Sequence, residues 1–583
     1  MKLRVPVIVK DPEVSEWKDI RPTEDVEITS ETSFLDGPTS PRVAILDFGP
    51  KTGELSPPVR FIPPTSPTEH GGYEVHPVES GGRVARDATN VSVFGAIYKT
   101  IEMFEEPDAM GRRISWAFGA PQLLVVPRAG EWANAYYERE SHSLQFFFFK
   151  AQGNGVIVHT SHSQDIVAHE TTHAILDGLA PDLFNAISPQ SLAIHEGVAD
   201  LGAVLCALRC RELSETVLKT TNYSIERSNI FSGIGEQFAG ALSENRDYLR
   251  NLLNNKSLDP KAAAADRVDR SEPHDLSQVL SGALYSMLLA TYEELRGVRR
   301  SPSGKHIVEP SEEEFNQRKL QRVSGTIGGI GEAMKALFLA GERLKRALFR
   351  GLDYLPPGDV TFADVGRAIL AADRASHPDS EAQRDDMRAE FVRRGIVSNA
   401  KELAVQTRFD VSAVQALNLD EFIESDYAAY RFVEANRALL SIPAGVTFCV
   451  RPRLCVTKLY WHRTGPEEAK EVLLKVVWTE QEANPAGGGL PTTRRWLRGT
   501  TLVIDYKTKK IHGLLTTTRG DADREDTTQM LRRLQATDAL RIDDDALGPD
   551  RRPLRSAVQG LVVDGALRLK HAGRLLHIVS TGL

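Results

Sequence analysis

Residues 169–173 read His-Glu-Thr-Thr-His, with two histidines four positions apart and a glutamate directly after the first. Positions four apart lie above one another on one face of an α-helix, so His169 and His173 would offer two imidazoles to one ion. Two imidazole nitrogens so placed suit zinc, and Glu170 would reach a water bound to the metal. The alternative is an ordinary stretch of a buried helix without a metal, because a His-Glu-x-x-His pattern can also arise by chance in a chain with 15 histidines.

The residues around the pentapeptide predict a helix. Ser163 or Asp165 would cap its start, and Gly178 lies near a plausible end. Apolar residues flank the motif on both sides: Ile166, Val167, Ala168, Ala174, Ile175 and Leu176. A helix with this pattern would carry both histidines into the interior of the protein.

A third metal ligand is expected in "SLAIHEGVADLGAVL", residues 191–205. Glu196 and Asp200 are four apart and share a helical face, so Glu196 would ligate the metal while Asp200 accepts the second ring N–H of a ligating histidine. His195 is the competing ligand, but it points about 100° away from Glu196 around the helix, and we favour Glu196. The alternative is a surface pair of carboxylates, which the surrounding apolar residues disfavour.

Composition and charge restrict the class of protein. The chain has 583 residues and a net charge of −8, which argues against nucleic acid as its main partner. It contains no apolar run near the roughly 18–20 residues of a membrane span, and the apolar run near its start is too short for a signal peptide. We therefore expect a cytoplasmic protein without a membrane partner. The four cysteines, Cys206, Cys210, Cys449 and Cys455, are expected to be reduced.

The residue composition and the hydrophobic periodicity change along the chain. Residues 1–80 are Pro-rich and predict an irregular extension or a small β element. Strand-like segments lie between residues 121 and 150, and helical periodicity dominates residues 163–300 and 311–396. After about residue 430 the chain is rich in β-branched and aromatic residues, which predicts a separate β-rich domain over 431–583.

Several further segments extend the pattern around the histidines. In chain order they are "NAYY" (134–137), "SGIGEQF" (232–238), "YLRNL" (248–252), "DRSEPHDLSQVLSGALY" (269–285), "TFADVGRAILAADRAS" (361–376) and "EFVRRGI" (390–396). With HETTH and the Glu-x-x-x-Asp helix, this ordered set resembles the thermolysin-like gluzincin metallopeptidases. The resemblance covers roughly residues 80–396.

The resemblance implies an α+β fold with a thermolysin-like catalytic unit, to which the β-rich C-terminal domain is added. Residues 81–300 would form a lobe with a mixed β-sheet, followed by the zinc-binding central helices. Residues 301–430 would form a helical C-lobe. The role of 431–583 is open, and a protein partner for that domain is one expectation.

The resemblance also implies roles for individual residues. One zinc ion per chain would be held by His169, His173 and Glu196, with Glu170 as general base. His274, ordered by Asp269, would donate to the oxyanion. The substrate would be held by Asn134, Ala135 and Arg250, and its residue after the cut would enter a pocket of Ile166, Ile234 and Leu249.

Two departures from the family pattern stand out. The family has a tyrosine between the two zinc-binding segments, whereas residues 174–195 contain none and Phe184 is their sole aromatic. Asp165 and Glu236 match two carboxylates of the family's calcium site, while Phe231 and Ala207 fall near the others. Because calcium takes six to eight oxygens, we expect no calcium there.

The sequence thus predicts a zinc-dependent metalloendopeptidase that acts on peptides or proteins and prefers an apolar residue after the scissile bond. Two alternatives stay open. One is a weak or inactive peptidase-fold binding protein, which the missing tyrosine favours. The other is a narrow-specificity processing protease or aminopeptidase controlled by its C-terminal domain.

Overall fold

The computed structural model describes most of the chain: residues 2–14, 20–79, 83–152, 155–227, 229–242, 248–297, 330–378, 381–405, 411–462, 465–543 and 558–571. The expected boundary at residue 301 lies outside the described residues. What is described is a mixed α+β protein with small sheets in its first half and a β-rich C-terminal region, so the predicted α+β class is confirmed.

The first 80 residues contribute strands to the main core. Leu3–Ile8 pairs antiparallel with Thr23–Ile28, and its alternating apolar side chains turn inward, as expected for a strand with one covered face. They pack against the helix Arg86–Glu105. Leu3 and Val5 thereby join the same hydrophobic cluster as the helices around His169.

A mixed four-stranded sheet lies beside the helix Gln164–Leu179, which carries His169 and His173. Its order is Val43–Ile45, Leu123–Val126, Ser143–Phe146 and Ala135–Glu138, with the last pair antiparallel and the others parallel. Ala135–Glu138, the edge strand, ends the sheet and contacts that helix. The short strand pairs nearby are Phe61–Ile62 with Gly72–Tyr73, Phe148–Lys150 with Ile157–His159, and Gly233–Ile234 with Arg250–Asn251.

Two buried helices form the centre of the fold. The first ligand helix is Gln164–Leu179, and the Ser163 side chain caps it by accepting from the Ile166 amide. The second ligand helix is Pro189–Leu208, with proline in its first turn. The helices approach closely because Gly202 has no side chain: a Cβ there would lie 2.4 Å from Thr172 Oγ1.

Among the described helices, Pro189–Leu208 is long and apolar enough to cross a membrane, and it is wholly buried inside the protein. The histidine helix, Pro273–Leu295, packs across it. The other described helices are Arg211–Thr220, Glu236–Leu242, Ile330–Tyr354, Phe362–Ser376, Glu381–Arg393, Val411–Gln415, Leu419–Glu424 and Asp426–Ala435.

The predicted β-rich region after residue 430 is confirmed. Eight described strands form its sheet: Phe448–Val450, Leu454–His462, Gly465–Ala483, Thr493–Asp505, Ile511–Thr516, Leu540–Asp543, Val558–Val563 and Ala566–His571. The C-terminal helix, Asp521–Ala536, belongs to the same region.

The C-terminal sheet packs directly on the helical part of the protein. Lys458 Nζ lies 2.7 Å from Asp353 Oδ2, and both side chains are buried. The Tyr354 hydroxyl donates to Glu471. Because Val456 and Leu473 also join the main hydrophobic cluster, this region shares its core with the helices.

Candidate metal centre

The first ligand helix brings the two motif histidines together. The Nε2 atoms of His169 and His173 lie 3.0 Å apart, and their rings are nearly perpendicular. His169 and His173 are 4% and 5% exposed, and Glu170 between them is 3% exposed. His169, Glu170 and His173 therefore form a buried group that could hold a metal ion.

Glu196 on the second ligand helix faces both imidazoles. Its Oε2 atom lies 3.5 Å from His169 Nε2, and its Oε1 atom lies 3.5 Å from His173 Nε2. Two ring nitrogens and a carboxylate converging from two helices form a donor set that suits a divalent transition metal. The predicted ligand residues are thus brought together.

Asp200 lies behind His169, as the helical spacing predicted. Its Oδ1 atom is 3.0 Å from His169 Nδ1. Although burial alone would lower the pKa of His169, its hydrogen bonds to Asp200 and Glu196 raise that pKa to about 9. Asp200 therefore fixes which ring nitrogen of His169 turns toward Glu196.

Arg250 is close to this group, but its contacts differ from the expectation. Its Nε and Nη2 atoms donate to the two carboxylate oxygens of Asp200 at 2.8 and 2.7 Å. Although burial opposes it, the Arg250 charge lowers the pKa of Asp200. Arg250 therefore acts on the candidate site through Asp200, while its expected bond to a substrate carbonyl stays a prediction.

His195 supports the second motif histidine. Its Nδ1 atom lies 2.6 Å from His173 Nδ1, on the opposite side of that ring from Glu196. Burial lowers the pKa of His195 to about 4, so its imidazole is neutral. The sequence indicated His195 only as a competing ligand, because this supporting position depends on how the two ligand helices pack.

Glu170 lies between the ligand group and the edge strand. Its Oε2 atom accepts a hydrogen bond from the Tyr137 amide at 2.9 Å. Burial raises the pKa of Glu170 to about 7. Two of the three predicted substrate residues lie on this strand or directly before it: the Asn134 side chain accepts from the Ala135 amide at 2.8 Å.

His274 reaches the ligand group from the histidine helix, but Asp269 does not hold it. His274 Nε2 lies 3.3 Å from Glu196 Oε2, and His274 Nδ1 lies 3.1 Å from Glu272 Oε1. Asp269 instead bonds to Ser271 and to Arg533 of the C-terminal helix. The expected ordering of His274 by Asp269 is therefore wrong, and Glu272 takes that position.

Helix capping explains why Glu272 is the partner. Its side chain accepts from the backbone amides of His274 and Asp275 at 3.1 and 2.6 Å, and Pro273 opens the helix. This cap fixes the carboxylate beside the His274 ring. The Glu-Pro pair at a helix start was a signal that could have identified Glu272 from the sequence.

A cavity opens beside His173 and His274. Phe184, the aromatic residue between the two ligand-bearing segments, lines it. The C-terminal region forms one of its walls. The other lining residues are Tyr137, Leu192, His195, Glu196, Ser271, Glu272, Pro273, Met530, Arg533, Leu534, Val558 and His571.

Asp165, one of the two carboxylates considered above for an incomplete calcium site, belongs to a buried ion pair. Lys10 Nζ pairs with Asp165, both side chains being 1% exposed, and donates to the Gly233 carbonyl at 2.9 Å. The side chain of Glu236 lies outside the described residues. The Lys10 ammonium thus neutralises Asp165 at this position.

No protein-family model matches the sequence, and no curated protein matches it either.

Proposed function

We propose that this chain is a zinc-dependent metalloendopeptidase. The observation that carries the proposal is the convergence of His169, His173 and Glu196, with Glu170 between them and a sheet edge. Zinc fits the donor set, because neutral imidazoles and one carboxylate from protein leave a coordination position open for chemistry. Bound there, the metal would lower the pKa of a water and polarise a substrate carbonyl.

Glu170 would serve as the general base. It is the residue after the first ligand, it is buried, and its Oε2 atom is held by the Tyr137 amide. A carboxylate whose pKa lies near neutrality is well matched to accepting a proton and returning it to the leaving amine. The contact with the edge strand would hold Glu170 at the point where the scissile bond lies.

His274 would donate a hydrogen bond to the oxygen that becomes negative during peptide cleavage. Although burial opposes it, Glu196 and Glu272 raise the pKa of His274, which favours the ring with protons on both nitrogens. With Nδ1 held by Glu272, Nε2 would carry the donating proton. An aimed donor of this kind contributes roughly 3–4 kcal/mol in acyl-transfer enzymes.

The edge strand supports a peptide as the substrate. Ala135–Glu138 pairs on one side with Ser143–Phe146, and an extended peptide would add to its other side through main-chain hydrogen bonds. The residue after the cut would meet Ile166 and Leu249. A Cβ at Gly235 would lie 3.0 Å from Leu249 Cδ1 and 3.9 Å from Ile166 Cδ1, so these side chains form one apolar group.

A binding protein without peptidase activity is the second candidate. Phe184 favours it, because this side chain lines the cavity but has no hydroxyl to donate to an oxyanion. The buried Glu170 favours catalysis instead, because burial of a carboxylate that performs no chemistry is costly.

Cleavage of an internally quenched peptide library and of casein tests the proposal. We expect wild-type cleavage that a chelator abolishes and added zinc restores. Glu170→Gln should lose cleavage by several orders of magnitude while it keeps its bound metal. Equal cleavage by both proteins, or metal binding without any wild-type cleavage, would favour the binding protein.

A further inference from the structure

The cavity beside His173 has walls from two distant parts of the chain. Phe184 and Leu192 come from the segment around the ligand helices. Met530 and Leu534, on the C-terminal helix, and Val558, on the C-terminal sheet, form the facing wall. The facing residues are between 0% and 6% exposed. An apolar pocket next to a polar reaction centre is the usual form of a small-molecule or side-chain subsite.

Specific polar contacts fix the C-terminal wall in place. Arg270 binds Asp526 of the C-terminal helix, with Nη2 and Oδ2 2.8 Å apart. Gln190 donates to Asp523 at 2.6 Å, and Arg533 binds Asp269 at 2.6 Å. These bonds join the wall to the second ligand helix and to the segment before the histidine helix, and so hold it beside the candidate site.

The position of the pocket defines which side of a substrate it would receive. Ile166 lies three residues before His169 and groups with Leu249 near Gly235. The cavity instead lies against His173, one helical turn in the other direction, and contains neither Ile166 nor Leu249 among its lining residues. The ligand group therefore separates two apolar subsites on opposite sides of the reaction centre.

We propose that the C-terminal region completes the subsite for an apolar side chain immediately before the scissile bond. This inference rests on the proposed function for the identity of that bond. Met530, Leu534 and Val558 would select the side chain, with Leu192 and Phe184 opposite them. The C-terminal region is then a determinant of specificity for the peptidase.

The charges around the pocket favour an internal peptide segment over a free amino terminus. The carboxylates among its described lining residues are Glu196 and Glu272, which face the motif histidines and His274 respectively. Arg533 adds a guanidinium at the wall, where it pairs with Asp269. Among the described lining residues, an α-ammonium group would therefore meet only carboxylates that already face histidines of the site.

The test measures binding separately from cleavage. Two peptides, acetyl-Ala-Ala-X-Leu-Ala-Ala-amide with X either Leu or Gly, are titrated calorimetrically into the zinc-loaded Glu170→Gln protein. We expect the Leu peptide to bind at least about tenfold more tightly, because a single methylene in an apolar pocket already changes selectivity by about that factor. Equal affinities, or binding of neither peptide, would overturn the inference.

Variants of the pocket wall give the matched comparison. Leu534→Phe in the same background should reduce the Leu-to-Gly preference by about tenfold by filling the pocket. Leu531→Ala is the control, because Leu531 lies on the same helix and in the same apolar cluster but does not line the cavity. If Leu534→Phe does not fold, Val558→Ala replaces it, and a third peptide with Phe at X should then gain affinity relative to the Leu peptide.

The outcomes separate the inference from the proposed function. A Leu preference that depends on Leu534 but not on Leu531, in a protein whose wild type cleaves no peptide, supports an apolar side-chain pocket at this place but refutes the peptidase and, with it, the assignment of the pocket to a scissile bond. A wild type that cleaves peptides with no preference at X, or with a preference that both variants change equally, supports the peptidase and refutes the subsite.

Discussion

His169 Nδ1 lies 3.0 Å from Asp200 Oδ1, which places a buried carboxylate directly behind the first candidate metal ligand. Asp200 also accepts two hydrogen bonds from Arg250. A carboxylate in this position orients the imidazole and increases its basicity as a ligand. The candidate metal centre thus extends to a second layer of charged residues.

Asp200→Asn should weaken zinc binding by about 10- to 100-fold, the usual effect of removing such a carboxylate. Competition with a chromophoric chelator measures the affinity. Asp177→Asn is the matched control, because Asp177 is equally buried on the first ligand helix but bonds to Tyr137 and Arg139. Equal losses of affinity in the two variants would contradict the assigned role of Asp200.

The candidate metal ligands and Asp200 could be predicted from sequence because each pair shares one helix. His169 with His173, and Glu196 with Asp200, follow from a spacing of four residues. Glu272 is a local cap with a Glu-Pro signal in the sequence, whereas the support by His195 depends on how the two ligand helices pack together. The cavity wall around Leu534 could not be predicted from sequence. Leu534 lies more than 300 positions after Glu196, and residues so far apart that line one cavity leave no local sequence pattern.

His195→Leu should also weaken zinc binding, because it removes the hydrogen bond that holds the His173 ring. We expect about a tenfold loss of affinity, in line with other residues that orient ligands. His195→Asn retains a polar side chain of similar reach and should recover most of the affinity. Chelator competition again gives the measurement, and an Asn variant as weak as the Leu variant would contradict the orienting role.

Glu272 and Asp269 offer a direct comparison of two carboxylates near His274. If Glu272 positions the His274 ring, Glu272→Gln should lower kcat and kcat/KM together by about 10- to 100-fold, because the interaction matters in the transition state. Asp269→Asn should change both by less than about threefold, since its carboxylate bonds to Ser271 and Arg533. The reverse order of effects would restore Asp269 as the partner of His274.

Glu471 should make the protein sensitive to acid. Although burial opposes it, the hydrogen bond from His512 and the charge of Lys458 lower the pKa of Glu471 to about 2, from an ordinary value of 4.5. A lowered folded-state pKa stabilises the protein above the ordinary value, and this stability is lost as the pH falls from about 4.5 toward 2. The contribution at neutral pH is roughly 3 kcal/mol.

Urea unfolding as a function of pH tests this contribution. Glu471→Gln should lower the free energy of unfolding at neutral pH, and the difference from wild type should disappear near pH 2. Glu468→Gln on the same strand is the control: Glu468 is exposed, and its replacement should change the free energy by less than about 0.5 kcal/mol. A Glu471→Gln deficit that does not vary with pH would contradict the assignment.

The proposed centre requires a single metal ion held jointly by the two ligand helices. Elemental analysis of the purified wild type and of Glu196→Ala, after dialysis against metal-free buffer, tests this directly. We predict one zinc per chain in the wild type and a large loss of zinc in the variant, with both proteins folded by circular dichroism. A wild type without zinc, or a Glu196→Ala protein that retains its full content, would contradict the proposed centre.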